Sequence, residues 1–382
     1  RYNLHYFDDL VSTTAGTRVD VHRALIERWI RENPAGQGSG WEPYPTSLRI
    51  VNWAKWLLAG NAPVPGMLQS LAVQARWVAK RTEWHLQGNH LWVNGKALVF
   101  AGCLFSGDEA VRWREDGLNI IRAELREQVL ADGAHFERTP MYHALFLEDL
   151  LDLINLARAF PGCVDADVAS WRGVAPRMIA WLQAVSHGDV LAHFNDVAQG
   201  IAPAVSALRD YAMRLDLVDS VQPSPAPFLA GAGLVRLEAG PAVVIADVAP
   251  VGPDYILGHA HADTLSFEMS LRGERLFVNE GTSTYEACPE RSRQRGTAAH
   301  NTVVVDGQDT SEVWASFRVA RRARIVQSGF HRDGAISILE AEHDGYRRLG
   351  GSVGHRRRWE LGHSQLKVID ELSGRYGSAE AR

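Results

Sequence analysis

The sequence predicts an α+β protein of two segregated domains, helical first and strand-rich second. Apolar residues recur at helical spacing from about residue 18 to about residue 217, as in Leu145, Leu150, Leu151 and Leu153. After 222–227, where three prolines fall within six residues, short β-rich runs bounded by glycine replace that pattern. The length of 382 residues leaves room for a core in each part, and 46% hydrophobic with 22% charged residues is a globular composition.

In the helical part, Pro- or Gly-containing breaks at 33–40, 60–66, 107–109, 131–134 and 161–167 are short enough to join antiparallel neighbours. In the second part, strands are expected at 233–237, 242–247, 265–271, 275–279, 301–305 and 335–341, as in a sandwich. Helices followed by strands imply separate layers, with residues 1–221 in the helical domain and 228–382 in the strand domain. Few strands are expected after Ser352, which would leave the sandwich cut short. The basic stretch 318–324 reads as a solvated or substrate-facing strand.

A formal charge of −5 supplies no general cationic field, so neither nucleic acid nor a membrane surface is an expected partner. A polyanion would have to be met by local charge. Cys103, Cys163 and Cys288 are odd in number and widely spaced, which argues for core packing over a disulfide framework. The longest apolar runs, 97–105 and 242–246, fall far short of the ~20 residues of a membrane span. The chain begins at Arg1 with no charged-then-apolar leader, so a signal peptide has either been removed or left out.

Four clusters carry polar groups that could do chemistry. In 41–56, Trp41, Tyr44, Arg49, Asn52, Trp53 and Trp56 combine aromatic faces with a guanidinium and an amide. They serve either sugar stacking or a helix core. In 84–96, Asn89 and His90 follow a glycine at a helix start, where Asn89 could cap the helix and the positive end of the dipole suits a carboxylate ligand. In 132–143, a turn leads through Pro140 into a helix whose first turn exposes Tyr142 and His143. In the strand part, His259 and His261 lie two apart, so both could project from one face, and His300 could meet one of them in a metal pocket.

The blocks NLHYFDDL, GNHLWVNGKAL, DGAHFERTPMYH, GHAHADTLSFEMSL and RGTAAHNTVVVDGQDTSEVW resemble, in order, those of the heparinase II/III-like polysaccharide lyases, over residues 2 to about 325. The resemblance implies an incomplete (α/α) toroid followed by an antiparallel β-sandwich, with the sugar chain in a cleft between the two. It implies β-elimination in a glycosaminoglycan-like chain. The proton at C5 of a uronic acid is removed, the C4 oxygen leaves, and an unsaturated uronate end remains. Asn89 and His90 would hold the uronate carboxyl group. Tyr142 would be the acid and, for one C5 configuration, also the base, with His259 the alternative base. A phenol with an ordinary pKa of about 10 needs positive charge nearby to act as a base at neutral pH, so His90, Arg138 or His143 should lie close to Tyr142.

By the same resemblance, Arg49, Asn52, Trp53, Arg138, His143 and Arg295 are candidate substrate contacts. A structural Zn2+ would take His261, Asn279 and His300. Asn279 stands where an aspartate is expected, so its amide oxygen ligates, Glu280 substitutes, or the metal is absent. No organic cofactor is expected, and the resemblance points to a bacterial periplasmic or secreted protein, with cytoplasmic placement open. A carbohydrate-binding or exopolysaccharide-assembly protein with little turnover is the alternative. A glycoside hydrolase would need paired carboxylates, for which Asp132, Glu137 and Asp263 are available away from the expected chemistry. Sequence leaves the polymer, its sulfation, endo or exo action and the oligomeric state undecided.

Overall fold

The structure, a computed structural model, describes residues 2–219, 228–229 and 231–382. The expected domain boundary at 222–227 lies outside the described residues. The run of longer helices ends at Arg214 and the longer strands begin at Leu234. The compact units are divided differently from that boundary. One contains Arg1–Glu127 and Asp152–Ala169, the other Gln128–Leu151 and Ser170–Arg382.

The first unit is built on α1 (Val19–Glu32), α2 (Pro43–Leu58), α3 (Met67–Lys80), α4 (Gly88–Leu104) and α5 (Asp108–Gln128). α4 is apolar nearly all round and is buried from Leu91 to Cys103, as expected of a central helix. It crosses α5 closely because both carry glycine at the crossing. A Cβ on Gly117 would lie 2.7 Å from the Gly95 carbonyl oxygen, and one on Gly95 would lie 2.8 Å from Ile120 Cγ2. Asp152, buried in this unit, accepts from Lys96 at 2.6 Å and from Lys55 at 2.9 Å.

The second unit takes in the start of α6 (Pro140–Ala159), most of α7 (Asp165–Ala184), α8 (Val205–Arg214) and the strands. Its first hairpin pairs β1 (Ser186–His187) with β2 (Val190–Leu191). An antiparallel sheet follows in chain order, made of β3 (Phe228–Leu229), β4 (Leu234–Ala239), β5 (Ala242–Asp247), β6 (Phe267–Leu271) and β7 (Glu274–Phe277). The short helix α9 (Pro289–Arg295) precedes β8 (Val303–Val305) and the small pair β9 (Val313–Trp314) and β10 (Arg318–Val319). A second antiparallel sheet is formed by β11 (Ile325–Asp333), β12 (Ile336–His343), β13 (Gly354–Leu361) and β14 (Leu366–Ser373), and β15 (Ala379–Ala381) pairs with β8.

The two large sheets pack face to face. Val235, Leu237, Val244, Ala246 and Phe267 of the first meet Leu339, Ala341, Trp359 and Leu361 of the second. The other face of the first sheet, at Leu234 and Ile245, is covered by Trp181, Ala184, Val185 and Phe194. Burial on both faces explains why β5 reads as a nearly unbroken apolar run rather than an alternating one.

Two expectations are corrected. The sandwich is not short of strands after Ser352, because β13, β14 and β15 all follow it. The basic stretch 318–324 supplies only the two residues of β10 to a strand.

Inside the second sheet lies a closed polar chain. Gly345 N–H donates to His343 Nδ1 at 3.0 Å, His343 Nε2 lies 3.0 Å from His355 Nδ1, and His355 Nε2 lies 2.7 Å from Asp370 Oδ1. Because a backbone N–H can only donate, His343 Nδ1 is the acceptor. In neutral rings the protons therefore sit on the two Nε2 atoms. Arg357 completes the set by bonding both oxygens of Asp370.

Candidate active site

Pro140 opens α6, a position where its missing N–H costs nothing, and Tyr142 follows in the first turn, near the positive end of the helix dipole. The ring of Tyr142 stacks on the imidazole of His259 with centroids 4.0 Å apart and planes at 14°. Its hydroxyl is 3.0 Å from that of Tyr285. On the far side, His259 Nδ1 is 2.5 Å from Glu137 Oε2.

Glu137 is buried, and its second oxygen, Oε1, has no hydrogen-bond partner. Burial works against charge on His259, but the Glu137 carboxylate and its hydrogen bond outweigh it and raise the imidazole above its ordinary value. The partner responds in kind. Burial pushes the Glu137 carboxyl up, and His259 more than offsets this and holds it below the usual range.

A second carboxylate, Asp196, braces the loop carrying the histidines. It is fully buried, accepts from both Arg291 Nη atoms, and lies 2.7 Å from His261 Nε2. Its own N–H donates to the His259 carbonyl at 3.2 Å, and Arg291 Nη2 donates to the Gly258 carbonyl at 3.3 Å. The Arg291 guanidinium sits 5.2 Å from the Tyr285 ring centre, which in turn stacks on Phe317. Burial, then the Asp196 charge, pushes the Tyr285 phenol well up, so it stays a neutral partner for Tyr142.

Within this unit the positive end of the α6 dipole and the Arg291 guanidinium beyond Tyr285 supply positive charge near Tyr142. His143 supplies none. His143 is fully buried, accepts from His135 N–H at Nδ1 and bonds the Met178 carbonyl through Nε2. Burial lowers its pKa to about 3, so it is neutral and belongs to the core. Arg138, with φ of 57°, gives its guanidinium to the carbonyls of Ala232, Phe136 and Gly252.

Other expected substrate contacts also prove structural. Arg49 is 0% exposed, donates to Gln74, Thr46 and the His5 carbonyl, and lies 3.8 Å over the Trp29 ring. Trp53 is equally buried, and Asn52 clamps the Tyr6 carbonyl and Asp8. Arg295 spends its guanidinium on the carbonyls of Ala260, Trp314, Ala315 and Arg318.

In the first unit, Gln87 caps α4 with φ of 57°, so Asn89 and His90 are first-turn residues and Asn89 is not the cap. His90 Nδ1 is 3.1 Å from Glu83 Oε1, and its ring lies 4.6 Å from that of Tyr44. Glu83 is held in turn by Asn94, which bonds its N–H and its other oxygen.

The metal residues come together in part. The rings of His261 and His300 are 5.3 Å apart, and His261 Nδ1 is buried without a partner. His300 has neither ring nitrogen in a well-formed hydrogen bond, although the Gln294 carbonyl is close enough to act on its charge. Asn279 is buried, with Oδ1 accepting from Asn301 N–H and Nδ2 unpartnered. The Glu280 carboxylate pairs with Arg293. Among the described residues no group of three or more His, Cys, Asp or Glu could hold a metal ion, so the donor set is two imidazoles and an amide oxygen.

Helices followed by two packed antiparallel sheets make the fold that of an incomplete α/α toroid and β-sandwich. The structure resembles a crystal structure of heparinase III with a TM-score of 0.73 at 19% identity, covering 97% of this chain and 62% of that one. It also resembles a heparan sulfate lyase mutant from Pedobacter heparinus, with a TM-score of 0.67 at 22% identity over 98% and 62%. Residues 25–211 match the heparinase II/III N-terminus and residues 221–380 the heparinase II/III-like C-terminal domain. The chain belongs to the heparinase II/III family. Curated relatives include the heparin-sulfate lyases of Pedobacter heparinus, 26% identical over 328 residues, and Bacteroides stercoris, 24% over 311. These matches take in 74% and 75% of this chain but 47% and 44% of the relatives, so the chain spans about half their length.

Proposed function

We propose that the protein is a polysaccharide lyase that cleaves uronic-acid-containing, glycosaminoglycan-like chains by β-elimination. The observation that carries this reading is the Tyr142 phenol, in the first turn of α6 and stacked on the His259 imidazole. The C5 proton of a uronate is a very weak acid, and its removal builds enolate-like charge on the neighbouring carboxylate. The positive end of the α6 dipole and the Arg291 guanidinium beyond Tyr285 favour phenolate, whose oxygen takes the C5 proton and returns it to the leaving C4 oxygen. Where the C5 configuration turns the proton the other way, His259 takes it. Asn89 and His90, in the first turn of α4, hold the uronate carboxylate. The curated relatives' printed activity, heparin-sulfate lyase, supports the same substrate class.

A structural zinc ion is part of the proposal. His261 Nδ1, a His300 ring nitrogen and the Asn279 amide oxygen would hold it, with Asp196 orienting His261 from behind. Metal analysis of the purified protein should return stoichiometric zinc, lost in His300→Ala.

The test of the activity is ultraviolet absorbance of the unsaturated product, with wild type and Tyr142→Phe offered heparosan, heparan sulfate, hyaluronan, chondroitin, alginate and polyglucuronate. A rise with one polymer that falls about 10²- to 10⁴-fold in the variant is the expected result. Tight binding across the panel with no unsaturated product would mark a carbohydrate-binding protein instead.

A further inference from the structure

Glu137 has no role in the elimination as drawn above, yet it makes the short contact that holds the imidazole. It lies in the loop that leads into α6, five residues before Tyr142, and its own carbonyl is 3.4 Å from Thr139 Oγ1. An ionised carboxylate can only accept, so the 2.5 Å contact places a proton on His259 Nδ1. The other ring nitrogen, Nε2, has no hydrogen-bond partner among the described residues, and the side chain is 15% exposed. Ring rotation is blocked by the stack on Tyr142, and the backbone on either side is pinned through the His259 and Gly258 carbonyls.

We propose that Glu137 is a positioning residue that fixes the Nδ1–H form of His259 with the Nε2 lone pair outward, and thereby governs which C5 configuration the protein can process. The inference rests on the lyase reading above. Three features support it besides the contact itself. Glu137 leaves Oε1 unpartnered while fully committed to His259 through Oε2, so its placement serves the histidine rather than a closed network. Among the described residues, only His259 hydrogen-bonds the Glu137 side chain. An amide at 137 could present its NH2 to Nδ1 and turn the lone pair inward, so one atom's exchange changes which nitrogen can act. Tyr142 keeps its own hydroxyl and its Tyr285 contact under that exchange, so proton transfer through Tyr142 is spared.

The experiment pairs two polymers of one linkage that differ in C5 configuration, glucuronate and iduronate, assayed with wild type, Glu137→Gln, His259→Ala and the double variant. His259→Ala first identifies the polymer that depends on His259. On that polymer Glu137→Gln should lower kcat by about 10- to 100-fold with KM little changed, while the other polymer keeps its rate. The double variant should be no slower than His259→Ala alone. Equal losses on both polymers, or additive losses in the double variant, would overturn the proposal. Nitrogen-15 NMR of the His259 ring supplies a readout independent of turnover, with Nδ1–H in wild type and a mixed or reversed form in Glu137→Gln. Glu137→Asp, which keeps the acceptor, should restore the Nδ1–H form. If no polymer is cleaved by wild type, the lyase reading fails, while the NMR result still decides the positioning role: an unchanged ring signal in Glu137→Gln rejects it.

Discussion

Two of the carboxylate–histidine pairs in the second unit lie at nearly the same distance, Glu137–His259 at 2.5 Å and Asp370–His355 at 2.7 Å. Only one is closed. Asp370 uses both oxygens, on His355 and Arg357, and the far nitrogen of His355 is taken by His343, which ends on a backbone N–H. Glu137 leaves one oxygen unpartnered, and His259 Nε2 has no hydrogen-bond partner among the described residues. A buried network that satisfies every atom holds a fold together, whereas one with an open valence is held ready for something that comes from outside.

The comparison can be broken at either pair. The largest effect is expected at the open one, where Tyr142→Phe should remove nearly all turnover while circular dichroism and the unfolding midpoint stay close to wild type. At the closed pair Asp370→Ala should do the reverse. It strands the buried Arg357 guanidinium and should cost about 3 kcal/mol in denaturant unfolding, with KM unchanged in whatever protein remains folded. Arg49→Ala in the first unit should behave similarly at about 2 kcal/mol, since Arg49 bonds only protein groups. A KM effect without a stability effect would restore Arg49 as a substrate contact.

Acid gives the mildest test. Burial alone would raise the Asp370 carboxyl, but His355 and Arg357 outweigh it and hold it at about 2, against an ordinary 3.8. A carboxyl depressed in the folded state stabilises above its unfolded pKa, so this contribution is complete above about pH 4 and disappears as the pH falls through 2. Burial above all depresses His343 and His355, so the unfolded chain binds more protons below about pH 6.5 and stability begins to fall there. An unfolding midpoint that slopes downward from pH 6.5 in wild type, and less steeply in His343→Asn, is the expected outcome.

Much of the fold was legible because periodicity survives packing. The breaks between helices fall where proline and glycine put them, and β5 runs over 242–247 as expected. β13 was hidden because its inward positions include His355 and Arg357, polar residues where an alternating pattern looks for apolar ones. At the site, Tyr142 and His259 were marked by their sequence blocks and are brought together by the fold. Asp196, Tyr285 and Arg291 carried no signal, since nothing in spacing joins residues about a hundred positions apart. Glu137 stood in a marked block and was set aside. Arg49 and Trp53 were expected at the substrate, although with Trp56 their spacing of four and three places them on one face of α2, the mark of a core stripe.

The sheet that is covered on both faces has a consequence for how the molecule opens. β5 is its middle strand, hydrogen-bonded to β4 on one side and β6 on the other, with Val244 and Ala246 packed to one face and Ile245 to the other. Its amides cannot meet solvent through a local fluctuation, because strand neighbours and both covering layers would have to leave together. In deuterated water they should be the last protons to exchange, at a rate set by global unfolding.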